Sequence, residues 1–361
     1  MMWTAILVLL LALAMQAAQA EGLVVERSME LEFATNFSVE YCQGGYKLIA
    51  ISDGTRYLTV PEGGQPPEGL DGDITVLRMP LTNLLVSSTP TMSLINAIGA
   101  LDDVSLTTTE YADWYIPGVT AAMDAGKLSF VGSYKTPDFE VLAAAQPPFA
   151  VFSTMLQSVP DVAEKIEELG IPYMLDQSTF EDHPLARTEW VKLYGALLDR
   201  EAEAQAVYDA QADMVKGIAS EKTGKTVAMF YITSKGALYA RNGGDYMAKM
   251  LELAGGDYAL ASMNPEETGT QQMEMEEFYA GAGDADYIIY IWSLGGRPET
   301  LADFLSKNEM LAEFKAVKDC NVWCTAPDYF QISNTQGEMI LDMNRMLTNE
   351  DSSLAQLSHL T

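Results

Sequence analysis

Glu181-Asp182-His183-Pro184-Leu185-Ala186-Arg187-Thr188-Glu189-Trp190-Val191-Lys192-Leu193-Tyr194-Gly195-Ala196-Leu197-Leu198 is the stretch whose reading decides the fold. Asp182 is a candidate N-cap, and Pro184 falls in the first turn, where a missing N–H costs nothing. Trp190, Leu193, Tyr194, Leu197 and Leu198 then follow the i, i+3, i+4, i+7, i+8 spacing of one buried stripe. The spacing predicts one long helix over 181–199. On either side the chain repeats the same order of short apolar strand, polar loop and helix. That pattern predicts an α/β protein of two lobes, 21–180 and 200–361, each with a central, mainly parallel sheet. The helix joins them, and the ligand site is expected between the lobes at its start.

Before the first lobe proper, Phe33, Phe37, Val39 and Tyr41, then Tyr46–Ile51, then Tyr57–Val60, alternate apolar and polar residues. Gly44-Gly45 and Asp53-Gly54 sit between these runs as hairpin turns, so an antiparallel β segment is expected at the N-terminus. Strands are expected at 74–79, 84–88, 105–108, 129–131, 149–152 and 171–175, separated by helical stretches. After the 181–199 helix and a charged amphipathic helix over 200–220, the order restarts with a strand at 226–232. It continues through a loop at Tyr239–Asp245, a helix from Tyr246, a strand at 287–292, a last strand at 321–324 and a closing helix over 336–347.

Composition narrows the function. The chain carries a net charge of −30, which excludes nucleic acid, whose binding depends on Lys and Arg neutralising phosphate. It also argues against anionic membranes. The first twenty residues form an apolar run ending in Ala18-Gln19-Ala20, the pattern of a cleaved export leader. Three cysteines, Cys42, Cys320 and Cys324, do not make a disulfide framework, and with only His183 and His359 as imidazoles no zinc site is expected. No nucleophile elbow, phosphate-binding glycine loop or dinucleotide fingerprint follows any strand. A hydrolase using Cys324 or Ser153 with His183 as base is the enzymatic alternative, and one usable histidine leaves it little machinery. No catalysis and no cofactor are expected.

Several segments resemble the substrate-binding proteins of ABC importers for ferric siderophores, haem and cobalamin. Ser88-Thr89-Pro90 through Ile98-Gly99-Ala100-Leu101 is similar to that family's first strand–turn–helix. Glu168-Leu169-Gly170-Ile171-Pro172 resembles its "LGIP" step and Met250-Leu251-Glu252-Leu253-Ala254-Gly255-Gly256 its "LELAGG" segment. Asp284-Ala285-Asp286-Tyr287-Ile288-Ile289, and Phe314-Lys315-Ala316-Val317-Lys318 before Asn321-Val322-Trp323, resemble its later strand openings. The resemblance runs from about Leu31 to Leu347. It implies two lobes joined by a single helix, capture of an iron complex in the cleft, and delivery to an ABC permease and its ATPase by a monomer. Two features depart from the family. Ser93 stands where many members carry a glutamate that docks the permease, and no lipobox cysteine ends the leader, which leaves the anchoring open.

In open α/β sheets ligands sit beyond the carboxyl ends of the strands. This places Met92, Met155, Tyr231, Trp292 and Phe330 at the mouth of the cleft, bordered by the loops of Trp114-Tyr115 and Tyr239–Arg241. Aromatic and methionine side chains suit a catecholate, porphyrin or corrin face. Trp114 and Trp292 are equally readable as core. Glu181, His183 and Arg187 lie on the first turns of the joining helix. There Arg187 would grip an anionic chelate, or the three would form a capping and ion-pair cluster. Glu276 and Glu277 are candidates for a permease-docking face. The ligand expected is a ferric siderophore. Haem or cobalamin, or a ligand-sensing surface protein without transport, are the alternatives.

Overall fold

The computed structural model describes residues 23–218, 222–292, 296–350 and 354–361. The expected leader over 1–20 and the end of the charged helix at 219–220 lie outside the described residues. The alternating N-terminal runs form a five-stranded sheet in sequence order, Val25–Ser28, Phe37–Cys42, Tyr46–Ile51, Arg56–Val60 and Ile74–Arg78. Gly44 and Gly54, at φ of 82° and 91°, make its tight turns, a backbone conformation glycine adopts without strain. The run at 74–79, expected to open the first lobe's sheet, instead pairs parallel with Arg56–Val60. The Pro- and Gly-rich loop before it is long enough to carry the chain back across, as a parallel partner requires.

Compactness divides the chain into two units, and the division differs from the expected lobes. The first unit holds the chain up to Glu181, Ala186–Tyr208 and Gln331–Asn334; the second holds Asp182–Leu185, Asp209–Phe330 and Thr335–Thr361. Besides the N-terminal sheet, the first unit contains an all-parallel sheet. Its order is Tyr173–Asp176, Ala150–Ser153, Leu84–Val86, Val104–Thr107, Ser129–Phe130. Helices Thr89–Ala97, Pro117–Asp124, Phe139–Ala145 and Pro160–Glu168 alternate with these strands. Leu85, Leu106, Ala150, Phe152, Leu156 and Ile166 belong to its core.

The deciding stretch is not one helix. It folds as Pro184–Glu189 and Val191–Leu197 with a break at Trp190. His183, not Asp182, supplies the N-terminal cap: its Nδ1 accepts the Leu185 N–H at 3.2 Å. The apolar stripe is buried as its spacing predicts, but so are the polar residues between, including Thr188, Glu189 and Lys192. A helix buried all round belongs to a core rather than to a free-standing joint. Gly195 shows how close the packing is, since a Cβ there would lie 2.5 Å from the Ala204 Cβ. Two helices are shared out: Pro184–Glu189, whose first two residues go to the second unit, and Glu201–Lys216, of which 201–208 go to the first unit and the remainder to the second.

The second unit is built on a seven-stranded sheet. Thr270–Met273, Leu238–Arg241, Thr226–Ile232, Tyr287–Tyr290, Val322–Thr325 and Leu357–His359 lie in that order, and Asp257–Tyr258 also pairs with Thr226–Ile232. The strands from Thr226, Tyr287 and Val322 run parallel; those from Leu238, Thr270 and Leu357 are antiparallel additions. The last strand falls on the tail carrying His359, which periodicity leaves as coil. Helices Tyr246–Leu253, Met275–Ala282 and Gln336–Thr348 follow the expected order. Phe230, Phe278, Tyr290 and Phe304 pack edge to face or tilted at the centre of the core.

Candidate functional site

In the first unit every strand of the parallel sheet ends at one edge, and a buried network fixes the loops there. Asp176, the last residue of its strand, accepts hydrogen bonds from Thr91 Oγ1 and Tyr194 Oη, both at 2.6 Å, and from the Ser178 N–H at 2.8 Å. Ser87 and Thr108 join the adjacent strand ends through a 2.6 Å hydroxyl pair. Burial together with the Asp176 carboxylate holds the Tyr194 hydroxyl far above its ordinary pKa, so it stays a protonated donor. Ser88 caps the helix Thr89–Ala97.

Beyond this edge lie large apolar side chains that solvent reaches. Met155 is 55% exposed and Tyr115 41%, and Tyr111, Phe130 and Phe180, the last at 62%, share the exposure. They follow or close four strands, with Tyr111 and Tyr115 on the one loop after Val104–Thr107. Sequence pattern alone does not mark Tyr111, Phe130 and Phe180, since an aromatic after a strand reads equally as core. Two expected contacts are corrected. Met92 is fully buried on the inner face of its helix, and Trp114 is buried with Nε1 donating to the Thr109 carbonyl at 3.2 Å. Ser93 is buried too. Its Oγ donates to Pro90 O at 2.7 Å and accepts the Ser333 N–H at 3.0 Å, so the residue standing for a docking glutamate lies inside the unit.

The 181–187 cluster is architectural. Glu181 is buried, and its carboxylate accepts the Asn36 N–H at 2.9 Å, the Thr35 N–H at 3.0 Å and Trp190 Nε1 at 2.8 Å. Thr35 Oγ1 donates as well, at 3.1 Å, so four donors meet the carboxylate's roughly four lone pairs and a ligand would have to displace one of them. His183 caps a helix, as described. Arg187 Nη2 donates to the Thr179 carbonyl at 2.7 Å, which ties the loop carrying Phe180. Arg187→Ala is therefore expected to lower the unfolding free energy by about 1–2 kcal/mol, the size of one charge-assisted hydrogen bond. Denaturant unfolding checks it. Unchanged stability with weakened ligand affinity would return Arg187 to the ligand.

In the second unit Tyr231 and Tyr239 stack face to face, 5.2 Å between centroids and 9° between planes. They are directly opposed on neighbouring strands, and Tyr239 Oη donates to Gln272 Oε1 at 3.0 Å. Arg241, two residues on, projects from the same face of the sheet. It is only 7% exposed. Its guanidinium lies 3.7 Å from Asp245 and 5.8 Å from the Tyr246 ring centre, and its Nε has no partner among the described residues. Burial opposes the charge, but the Tyr329 and Tyr246 phenols, Asp245 and Tyr231 outweigh it, so the pKa rises above the ordinary arginine range. The hydroxyls of Tyr246 and Tyr329 hydrogen-bond to each other. Phe330 is exposed and packs edge-on against Tyr329, 5.0 Å between centroids. Trp292 is half-buried against the core, its N–H donating to Thr325 Oγ1 at 2.9 Å. Among the described residues no group of three or more His, Cys, Asp or Glu side chains could hold a metal ion.

This geometry has relatives. Residues 107–329, well over half the chain, match the family model of the periplasmic binding proteins. An uncharacterized lipoprotein of Methanocaldococcus jannaschii is 29% identical over 321 residues, covering 84% of this chain and 75% of the relative. Among solved structures, a petrobactin-binding protein of Bacillus subtilis superposes with a TM-score of 0.61 at 15% identity, over 84% of this chain and 98% of that one. A periplasmic haem-binding protein of Pseudomonas aeruginosa does so with a TM-score of 0.58 at 16% identity, over 77% and 95%.

Proposed function

We propose, on the premise that the chain belongs to the periplasmic binding protein family, that it captures a ferric siderophore outside the cytoplasm and delivers it to an ABC permease and its ATPase. The observation that carries this reading is the stacked Tyr231–Tyr239 pair with Arg241 beside it on the same sheet face. Keeping a guanidinium buried costs desolvation, and in a chain of net charge −30 a cation set among aromatic rings suits an anionic, aromatic iron chelate. Within the first unit, taken by itself, the exposed Tyr115, Met155 and Phe180 make an apolar edge of the kind that binding sites present. The petrobactin-binding relative in structure is in keeping with it. Export as a monomer after removal of the leader completes the proposal.

Haem is the second reading, favoured by the breadth of that apolar edge, which would cover a flat macrocycle. One experiment separates the two. The full chain is titrated with a ferric tris-catecholate, a ferric hydroxamate, haem and cyanocobalamin, following tryptophan fluorescence and visible absorbance. Saturable quenching by a ferric chelate at micromolar or tighter affinity is the expected result. Binding of haem or the corrin alone replaces the ligand, and silence from all four sinks the transport reading.

A further inference from the structure

We infer that Gln331 is a positioning residue for ligand capture: one side-chain amide holds the backbone on both sides of Trp114 and so aims the exposed ring of Tyr115. The inference rests on reading that loop as a ligand contact. The loop leaves the strand Val104–Thr107, makes a single tight turn over Tyr111–Asp113 and continues extended through Trp114, at φ −88° and ψ 131°. The turn satisfies the Asp113 and Trp114 N–H groups through the Glu110 and Tyr111 carbonyls, and the Tyr115 N–H and Asp113 carbonyl find their partner outside the loop. Gln331, 216 residues away in sequence, supplies what a neighbouring strand would. Its Oε1 accepts the Tyr115 N–H at 2.8 Å, and its Nε2 donates to the Asp113 carbonyl. Serving an N–H and a C=O at once takes both a donor and an acceptor, which a glutamine amide has and a carboxylate lacks.

The holder is itself held. Two residues on, Ser333 is buried, its N–H donating to Ser93 Oγ at 3.0 Å and its carbonyl accepting Thr188 Oγ1 at 2.7 Å. Gln331–Asn334 is therefore a short strap of the first unit, although residues on both sides of it, Phe330 and Thr335, belong to the second. The Trp114 indole pins the loop from within through Thr109, and Gln331 pins its backbone on either side of that indole. Tyr115 itself is 41% exposed, on a backbone that Gln331 holds at its N–H and at the Asp113 carbonyl. A solvent-facing aromatic set in place before binding loses less freedom when the ligand arrives. This also accounts for the buried Ser93: it anchors the strap.

The test uses the full chain and the variants Gln331→Ala, Gln331→Glu and Tyr115→Ala. Amide hydrogen exchange needs no ligand. Gln331→Ala is expected to speed exchange at Tyr115 at least tenfold, while amides of the strand Ala150–Ser153 keep their rates and the unfolding midpoint holds. Titration with ferric tris-catecholate, and with haem, follows by tryptophan quenching. For whichever probe the parent binds, Gln331→Ala is expected to weaken affinity about tenfold, the scale of one or two hydrogen bonds. Gln331→Glu keeps the acceptor for Tyr115 but not the donor to Asp113, and falls between. Unchanged exchange at Tyr115 overturns the inference. So does parental affinity in Gln331→Ala when Tyr115→Ala binds weakly. Parental affinity in Tyr115→Ala, or a parent that binds neither probe, instead overturns the loop's reading as a ligand contact, and the claim about capture falls with it.

Discussion

Glu189→Ala is expected to destabilise the protein by about 3–5 kcal/mol, the cost of removing one member of a buried ion pair and stranding its partners. Glu189 has no solvent exposure and four donors. Its carboxylate accepts the N–H groups of Glu32 at 2.7 Å, Phe33 at 2.8 Å and Ala34 at 2.8 Å, and the ammonium of Lys192 at 2.8 Å. Successive backbone N–H groups turned to one side form a nest for an anion. Here the anion is a side chain of the same protein, and Glu181 repeats the device on Thr35 and Asn36. Together the two carboxylates fasten the loop between the first and second strands of the N-terminal sheet from within the same unit. The ion pair and the nest can be told apart. In Glu189→Leu with Lys192→Met the stranded ammonium is gone, but the three N–H groups still lack an acceptor. The double variant should recover only part of the loss and remain at least about 3 kcal/mol below the parent, at about 1–3 kcal/mol for each of the three unsatisfied groups. Full recovery on chemical denaturation would mean that water or a backbone shift satisfies the segment, and that the nest holds nothing.

The same stretch shows where sequence reading succeeds and where it stops. Trp190, Leu193, Tyr194, Leu197 and Leu198 are all buried, as a 3.6-residue period requires. Periodicity says which face is apolar. It does not say that Glu189 and Lys192, on the other face, are consumed by a loop more than 150 residues earlier in sequence. Polar spacing therefore reads as solvent, and a core pair of helices reads as a joint. Local turn chemistry fared better: Gly44-Gly45 and Asp53-Gly54 are tight connections because φ near +80 to +90° is cheap only for glycine. In the second unit the strands from Thr226, Tyr287 and Val322 were legible as apolar runs, but the other four were not: Leu238–Arg241, whose last three residues read as loop, Asp257–Tyr258, Thr270–Met273 and Leu357–His359 carry no such run. The candidate site was legible only as a location, the carboxyl ends of parallel strands. Which side chains stand free there depends on packing. Met92 faces inward and Phe180 outward, and no property of either residue in the linear chain tells them apart. Arg241 was named only as part of a loop bordering the cleft, whereas it closes the strand Leu238–Arg241. Gln331 was not named, since an amide at a helix-free position carries no pattern.

Asp245→Ala is expected to cost about 3–5 kcal/mol as well, by stranding the buried cation it faces, and to abolish ligand capture at 37 °C if Arg241 serves the ligand. Asp245 is buried and holds three groups. One carboxylate oxygen caps the helix Tyr246–Leu253 through the Met247 N–H at 3.0 Å; the other accepts the Gly269 N–H at 2.9 Å and lies 3.7 Å from Arg241. The loop that delivers it is sterically closed: a Cβ on Gly243 would meet the Ala261 carbonyl oxygen at 2.1 Å, so the carboxylate cannot be replaced by a shift of the chain. Loss of the cap alone costs about 1 kcal/mol. The remainder comes from a guanidinium left among phenols with no carboxylate. Asp245→Asn separates these. Its single amide oxygen can keep the cap on the Met247 N–H, but its NH2 then meets the Gly269 N–H donor to donor and the countercharge is gone, so a loss close to that of the alanine variant assigns the effect to the oxygen that serves Arg241 and Gly269, and a loss near 1 kcal/mol or less means that this oxygen contributes little. Combining Asp245→Asn with Arg241→Met removes cation and countercharge together. If stability returns while binding of the ferric chelate stays lost, Arg241 is there for the ligand at the expense of the fold. If both return, the arginine and its aspartate only hold up the loop, and the anion-binding side of the proposed function loses its support.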